Sequence, residues 1–283
     1  MLEDPRTRGP RPPFAEFSGA DNLDPKPDYG ERSYAGRGRL EGCGAIVLGG
    51  DSGIGRAVAV AFAREGSDVL IGFQTELAEA EETAGWVRKA GRRAVLAGGN
   101  LDSELRQTQL VEQAIAQFGH LDVLVNDTVA GWAHVSPHEL SALEIEESLR
   151  KSTEEAFAFA RLAASRMRPG SSIITTTAVR SPHPASQQRA YAAFQGGVAS
   201  LTASLATEFA SRGIRVNAVE SGPVWAPRVL RTLTREQTRS FGSETLLGRP
   251  AQPAELAPAY VFLASSEASF MTGTLISVTG GFI

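Results

Sequence analysis

The chain has 283 residues, 42% of them hydrophobic and 21% charged, with a net charge of −4. That balance suits a globular protein with a sizeable core, and the mild negative charge argues against nucleic acid or an anionic membrane surface as a partner. The single cysteine, Cys43, excludes an intrachain disulfide, no run approaches the ~20 apolar residues of a membrane span, and the opening Met-Leu-Glu-Asp-Pro lacks a basic-then-apolar leader, so the cytoplasm is the expected compartment.

Residues 1–40 carry Pro5, Pro10, Pro12, Pro13, Pro25 and Pro27 among scattered charges and glycines. No helix or strand period survives that density of proline, which predicts an extended N-terminal arm. Phe14, Phe17, Tyr29 and Tyr34 supply apolar anchors, so the arm is expected to dock, with a neighbouring subunit as the surface.

Residues 41–283 read as one domain. Apolar runs recur at 45–48, 68–73, 93–97, 121–125, 171–176, 214–219 and 275–278. Helical stretches fill 54–65, 76–90, 103–118, 140–168, 188–211 and 253–264. Strands alternating with helices predict an α/β fold: a single doubly wound, Rossmann-type, seven-stranded parallel sheet with helices on both faces. Burial on both faces explains strands without polar alternation, such as Leu121-Asp122-Val123-Leu124-Val125. The segment 222–250 breaks the rhythm with Pro223, Pro227 and Pro250 and is placed to form a substrate lid. Its Arg228, Arg231, Arg235 and Arg239 read as one solvated helical face.

The chain is organised around the turn Gly49-Gly50-Asp51-Ser52-Gly53-Ile54-Gly55, between the first apolar run and the first helix. Gly49, Gly53 and Gly55 leave no side chain where a diphosphate would approach the backbone, and the helix N-terminus offers amides and a positive dipole end to that anion.

Together with residues further along, this turn resembles the short-chain dehydrogenase/reductase family. Gly49 to Gly55 looks like its phosphate loop, Asn100-Leu101 like its adenine-contacting pair, with Asn where Asp is usual, and Leu124-Val125-Asn126 like the start of its Asn-Asn-Ala-Gly strand end. Val216-Asn217-Ala218-Val219 with Gly222-Pro223 resembles its sixth strand and turn, and Thr272-Gly273 with Gly280-Gly281 its C-terminal close. Pro27-Asp28-Tyr29-Gly30-Glu31, Ser33-Tyr34 and Gly36-Arg37-Gly38-Arg39-Leu40 are similar to the extended-arm subgroup that includes bacterial general-stress oxidoreductases. The resemblance implies NAD or NADP held by Gly49, Asp51, Ser52, Gly53, Ile54, Gly55, Asn100, Leu101 and Asn126, a small-molecule substrate, and a homodimer or homotetramer joined through the helices at 140–168 and 188–211. The stretch Phe73-Gln74-Thr75-Glu76 shows neither a clear ribose-binding acid nor a phosphate-binding arginine, so NAD and NADP both stay open.

The family's working group is a Tyr acting as general acid/base, a Lys four residues on, a Ser thirteen residues before the Tyr, and an Asn on the preceding helix. Carried over by residue, the Tyr place is Tyr191, the Lys place Gln195, the Ser place Ala178 and the Asn place Ser152. Asp127-Thr128-Val129 replaces the family's Asn-Ala-Gly, and Glu220-Ser221 precedes Gly222-Pro223. Gln195 brings no cation to lower the phenol's reference pKa of ~10. The diphosphate half therefore reads as kept and the chemical half as altered.

The expected function is a non-redox transformation (lyase, isomerase or cyclase) of a small, partly apolar molecule, with Tyr191, His183 and Glu220 as catalytic residues. Trp132, Trp225 and Phe194 are candidate apolar walls, and His134 and His138 further loop residues. The alternatives are an NAD(P)-dependent oxidoreductase of a carbonyl or alcohol with an atypical relay, and a non-catalytic binding or scaffold homologue. No trio of His, Cys, Asp or Glu has metal-ligand spacing, so no metal is expected.

Overall fold

The computed structural model describes residue 23 and residues 25–100, 103–128, 157–178, 189–230 and 233–281. After the arm come β1 (Gly44–Leu48), α1 (Gly53–Arg64), β2 (Asp68–Phe73), α2 (Leu77–Lys89), β3 (Ala94–Gly98), α3 (Glu104–Phe118) and β4 (Val123–Asn126). A helical stretch at 157–166, α4, leads to β5 (Ser172–Ala178), α5 (Arg189–Phe209) and β6 (Arg215–Ser221). Two short helices, α6 (Pro227–Leu230) and α7 (Arg235–Ser240), precede α8 (Pro253–Ala264) and β7 (Leu275–Val278).

The seven strands form one sheet in the order β3-β2-β1-β4-β5-β6-β7, and every pair is parallel. Every residue of β1 and β2 is buried, as expected for strands covered on both faces. One face packs Ala45, Val47, Val69, Ile71 and Val125 against α1, α2 and α8. The other packs Ile46, Leu48, Leu70, Leu124 and Val216 against α3, α4 and α5. The chain steps outward from β1 to β3 and then returns to the far side of β1 as β4. That reversal opens a crevice at the carboxyl ends of β1 and β4, where open α/β sheets bind ligands.

Two sequence expectations are corrected here. The fourth strand starts at Val123 because the Asp122 carboxylate turns aside to accept from the Gly44 amide (2.9 Å) and from Arg168 Nε (2.8 Å). Nor does one helix carry the lid arginines: Arg228 falls on α6 and Arg235 and Arg239 on α7, while Arg231 lies outside the described residues.

The described part of the arm docks on its own domain. Leu23 packs with Trp225 and Leu230, and the Trp225 indole donates to the Pro25 carbonyl (2.9 Å). The Asp28 amide donates to Gln252 Oε1 (2.9 Å), and the Asp28 carbonyl accepts from the Ala254 amide (2.9 Å), tying the arm to the start of α8. Tyr29 lies under the Arg56 guanidinium, 4.7 Å from its ring centre, beside the first turn of α1. At the other end of α1, Glu65 accepts from the amides of Arg37 (2.8 Å) and Arg39 (3.0 Å), the Arg39 guanidinium (2.7 Å) and the Tyr34 hydroxyl. Burial alone would raise the Glu65 pKa, but these hydrogen bonds outweigh it and hold the carboxyl down at about 2. Residues 25–40 thus dock in cis, on the domain that follows them. Residues 1–22 lie outside the described part.

Candidate active site

The turn after β1 sits at the crevice. Gly53 adopts φ +55°, and among the described residues a Cβ placed there would meet only the Ala226 methyl, 3.6 Å away. Gly55 is different: a Cβ there would stand 2.2 Å from the Gly49 carbonyl oxygen, so only glycine lets the loop fold across the first turn of α1. Ser52, the N-cap, makes no side-chain cap bond, and the first turn carries no acidic residue. Among the described residues, none accepts from the amides of Gly53 and Ile54. These amides and the dipole behind them suit an anion from outside.

Arg56 anchors this loop, and the sequence reading missed it. Its side chain is 5% exposed and spans three elements. Nε donates to the Asp51 carbonyl (2.9 Å), Nη1 to Glu82 (2.8 Å) and Nη2 to the Glu79 carbonyl (3.0 Å). The available signal was an arginine inside the apolar helix Val58-Ala59-Val60-Ala61, one residue after the glycine turn. Asp51 is itself buried and so belongs to the loop's frame.

Across the crevice, the residues after β4 close on the same turn. Asp127 is 7% exposed, and its Oδ2 accepts from the Gly55 amide (2.8 Å). Asn126 Oδ1 accepts from the Thr128 amide (3.2 Å) and hydroxyl (2.6 Å), so this expected cofactor residue shapes the turn after β4. Behind Asp127 the fully buried Tyr260 of α8 pairs its hydroxyl with Thr176 of β5 (2.8 Å). Burial, then the Asp127 charge, raise the Tyr260 phenol well above its usual pKa, against the Thr176 hydrogen bond.

The structure brings together the glycine turn, Asn126, Asp127, Tyr260 and Ala226. Asn100 lies in the loop after β3 in an exposed position, while Leu101 and His183 lie outside the described residues, as do His134, His138, Trp132, Val129 and Ser152. Tyr191 and Gln195 fall one turn apart on α5, where the described part is the backbone. Ala178 closes β5. Glu220 sits on β6 opposite Thr177 and Ser277, and its Oε2 accepts from the Ser277 hydroxyl (2.7 Å), which makes it a cross-strand partner. Trp225 is buried in a small core with Leu23 and Leu230. Among the described residues, no group of three His, Cys, Asp or Glu could hold a metal, and no helix is long and apolar enough to cross a membrane.

A family model described as Enoyl-(Acyl carrier protein) reductase matches residues 49–283. The Uncharacterized oxidoreductase YhdF of Bacillus subtilis is 39% identical, covering 92% of this chain and 90% of the relative. General stress protein 39 of the same organism is 36% identical over 92% and 91%. Glucose and ribitol dehydrogenase of Daucus carota is 35% identical over 92% of each. Among solved structures, a short chain dehydrogenase from Burkholderia cenocepacia in complex with NADP superposes with a TM-score of 0.78 at 25% identity, covering 86% of this chain and 98% of the other. A short-chain dehydrogenase/reductase from Serratia marcescens gives 0.78 at 28%, over 86% and 99%. Relatives named as oxidoreductases and dehydrogenases support the redox alternative, and the non-redox expectation finds no support among them. A glycine turn at the switch point of a seven-stranded parallel sheet, matched over nearly the whole length by such relatives, places the chain in the short-chain dehydrogenase/reductase family.

Proposed function

We propose that the chain is a nicotinamide-dinucleotide-dependent oxidoreductase acting on a small carbonyl or alcohol. The glycine turn, with the Gly53 and Ile54 amides at the N-terminus of α1, carries this reading. These amides suit the diphosphate, and Asn100 and Leu101 the adenine side. When bound, the dinucleotide supplies a hydride to the substrate's carbonyl carbon or takes one from the alcohol carbon. Tyr191 gives the proton to the substrate oxygen, or removes it in the oxidative direction. Gln195 adds no charge to stabilise a phenolate, so alcohol oxidation quickens towards alkaline pH. The kinship with a glucose and ribitol dehydrogenase makes sugars and polyols the first substrate class to try.

The test follows reduced nicotinamide absorbance with NADH and NADPH over a panel of aldehydes, sugars and polyols. Tyr191→Phe is expected to abolish turnover, and Gln195→Lys to raise it at neutral pH by roughly ten- to a hundredfold. No hydride transfer to any panel member, in the wild type and in Gln195→Lys alike, would overturn the reading.

A further inference from the structure

The turn that suits a diphosphate already holds an anion of the chain's own. Asp127 arrives from β4, 72 residues along the chain, is 7% exposed, and accepts from the Gly55 amide at 2.8 Å. Its Oδ2 stands 3.1 Å from where a Cβ of Gly55 would be. One first-turn amide of α1 is thus engaged internally, beside the Gly53 and Ile54 amides, from which no described residue accepts. A carboxylate there is stabilised by the helix dipole, and it repels a second anion laid against the same turn in a setting that water screens poorly.

We propose that Asp127 is an affinity-setting residue that weakens the hold of the glycine turn on a nucleotide diphosphate and so speeds its release. The inference rests on the dinucleotide reading above. Asparagine in its place keeps an oxygen acceptor for the Gly55 amide and removes the charge. The effect is therefore one of charge, and it follows the diphosphate, not the adenosine.

Calorimetric titration of the full chain with ADP, adenosine, NADH and NADPH tests this. Asp127→Asn is expected to bind ADP and the dinucleotides about tenfold tighter, equivalent to about 1.4 kcal/mol, with adenosine unchanged. Asp122→Asn is the control. It also removes a buried carboxylate that accepts a backbone amide (Gly44, 2.9 Å), at the opposite end of the sheet, and should lower the melting temperature without changing ADP affinity. Asp127→Ser, also neutral and with an oxygen acceptor, serves if the asparagine variant fails to fold. Equal or weaker ADP binding by the neutral variants, or an equal gain for adenosine, overturns the inference while wild-type dinucleotide binding leaves the functional reading standing. Binding by Asp127→Asn alone supports the inference in its strongest form. If neither protein binds any dinucleotide at millimolar concentration, both readings fall.

Discussion

Each end of α1 meets a buried carboxylate, and the two ends are finished differently. At the C-terminal end Glu65 sits where the helix dipole disfavours a negative charge, and the arm surrounds it with Arg39, Tyr34 and two amides. At the N-terminal end Asp127 sits where the dipole favours it and takes the Gly55 amide, while no described residue accepts from the amides of Gly53 and Ile54. An end closed by the chain's own groups is a structural joint. An end whose donors no described residue engages is where the proposed dinucleotide would lie, and the described arm meets it through Tyr29 on Arg56. The contrast separates what holds the fold from what the fold offers.

The largest expected effect falls at the open end. Gly55→Ala puts a methyl 2.2 Å from the Gly49 oxygen, so the loop must move; we expect a loss of roughly 3 kcal/mol or more and no dinucleotide binding. Thermal unfolding and NADPH titration read both, and a variant with normal stability and affinity would show that the turn is not folded as described.

At the closed end, Glu65→Ala should cost roughly 2–3 kcal/mol, because Arg39 loses its buried partner and keeps only the longer pair with the exposed Glu267 (3.6 Å), while being 25% exposed and so partly solvated. The folded-state pKa of Glu65 lies at about 2, below its unfolded value, so its stabilisation is present above the unfolded pKa and fades as pH falls towards 2. Urea midpoints across the acid range should therefore drop more steeply in the wild type than in Glu65→Gln. Nucleotide affinity should stay unchanged in both variants; a large loss would show that the ends are coupled.

Tyr29→Ala is the smallest test and probes that coupling directly. It removes a cation–π contact worth about 0.5–1 kcal/mol together with the ring's packing at the edge of the core, and leaves Arg56 its three hydrogen bonds. A fall of a few degrees in melting temperature with little change in NADPH affinity is the expected outcome. A large loss of affinity would make the arm part of the cofactor site.

Much of the site's frame was legible beforehand. The glycine turn could be located because strand, turn and helix periods adjoin in the sequence, and the second and seventh strands fell at the expected residues, 68–73 and 275–278. Glu220 and Trp225 were harder. A carboxylate at a strand end has the composition of a catalytic group, and only its register opposite Ser277 shows the cross-strand pair. A tryptophan in a proline-rich segment could face a pocket or a core, and Leu23 and Pro25, some 200 positions earlier, decide for the core. Arg56 escaped notice because its partners lie on the loop, on α2 and on the arm.

The sequence by itself determined the α/β alternation, the parallel sheet and the position of the glycine turn. These follow from hydrophobic period and from backbone conformations that glycine permits, both of which act within a few residues. The tertiary structure alone decided that Asp127 meets Gly55, that Glu65 receives the arm, and that the arm's described part folds back on its own domain. Those pairings join groups from about 25 to more than 200 residues apart, and their geometry exists only once β4 has crossed beside β1 and α8 has packed on α1.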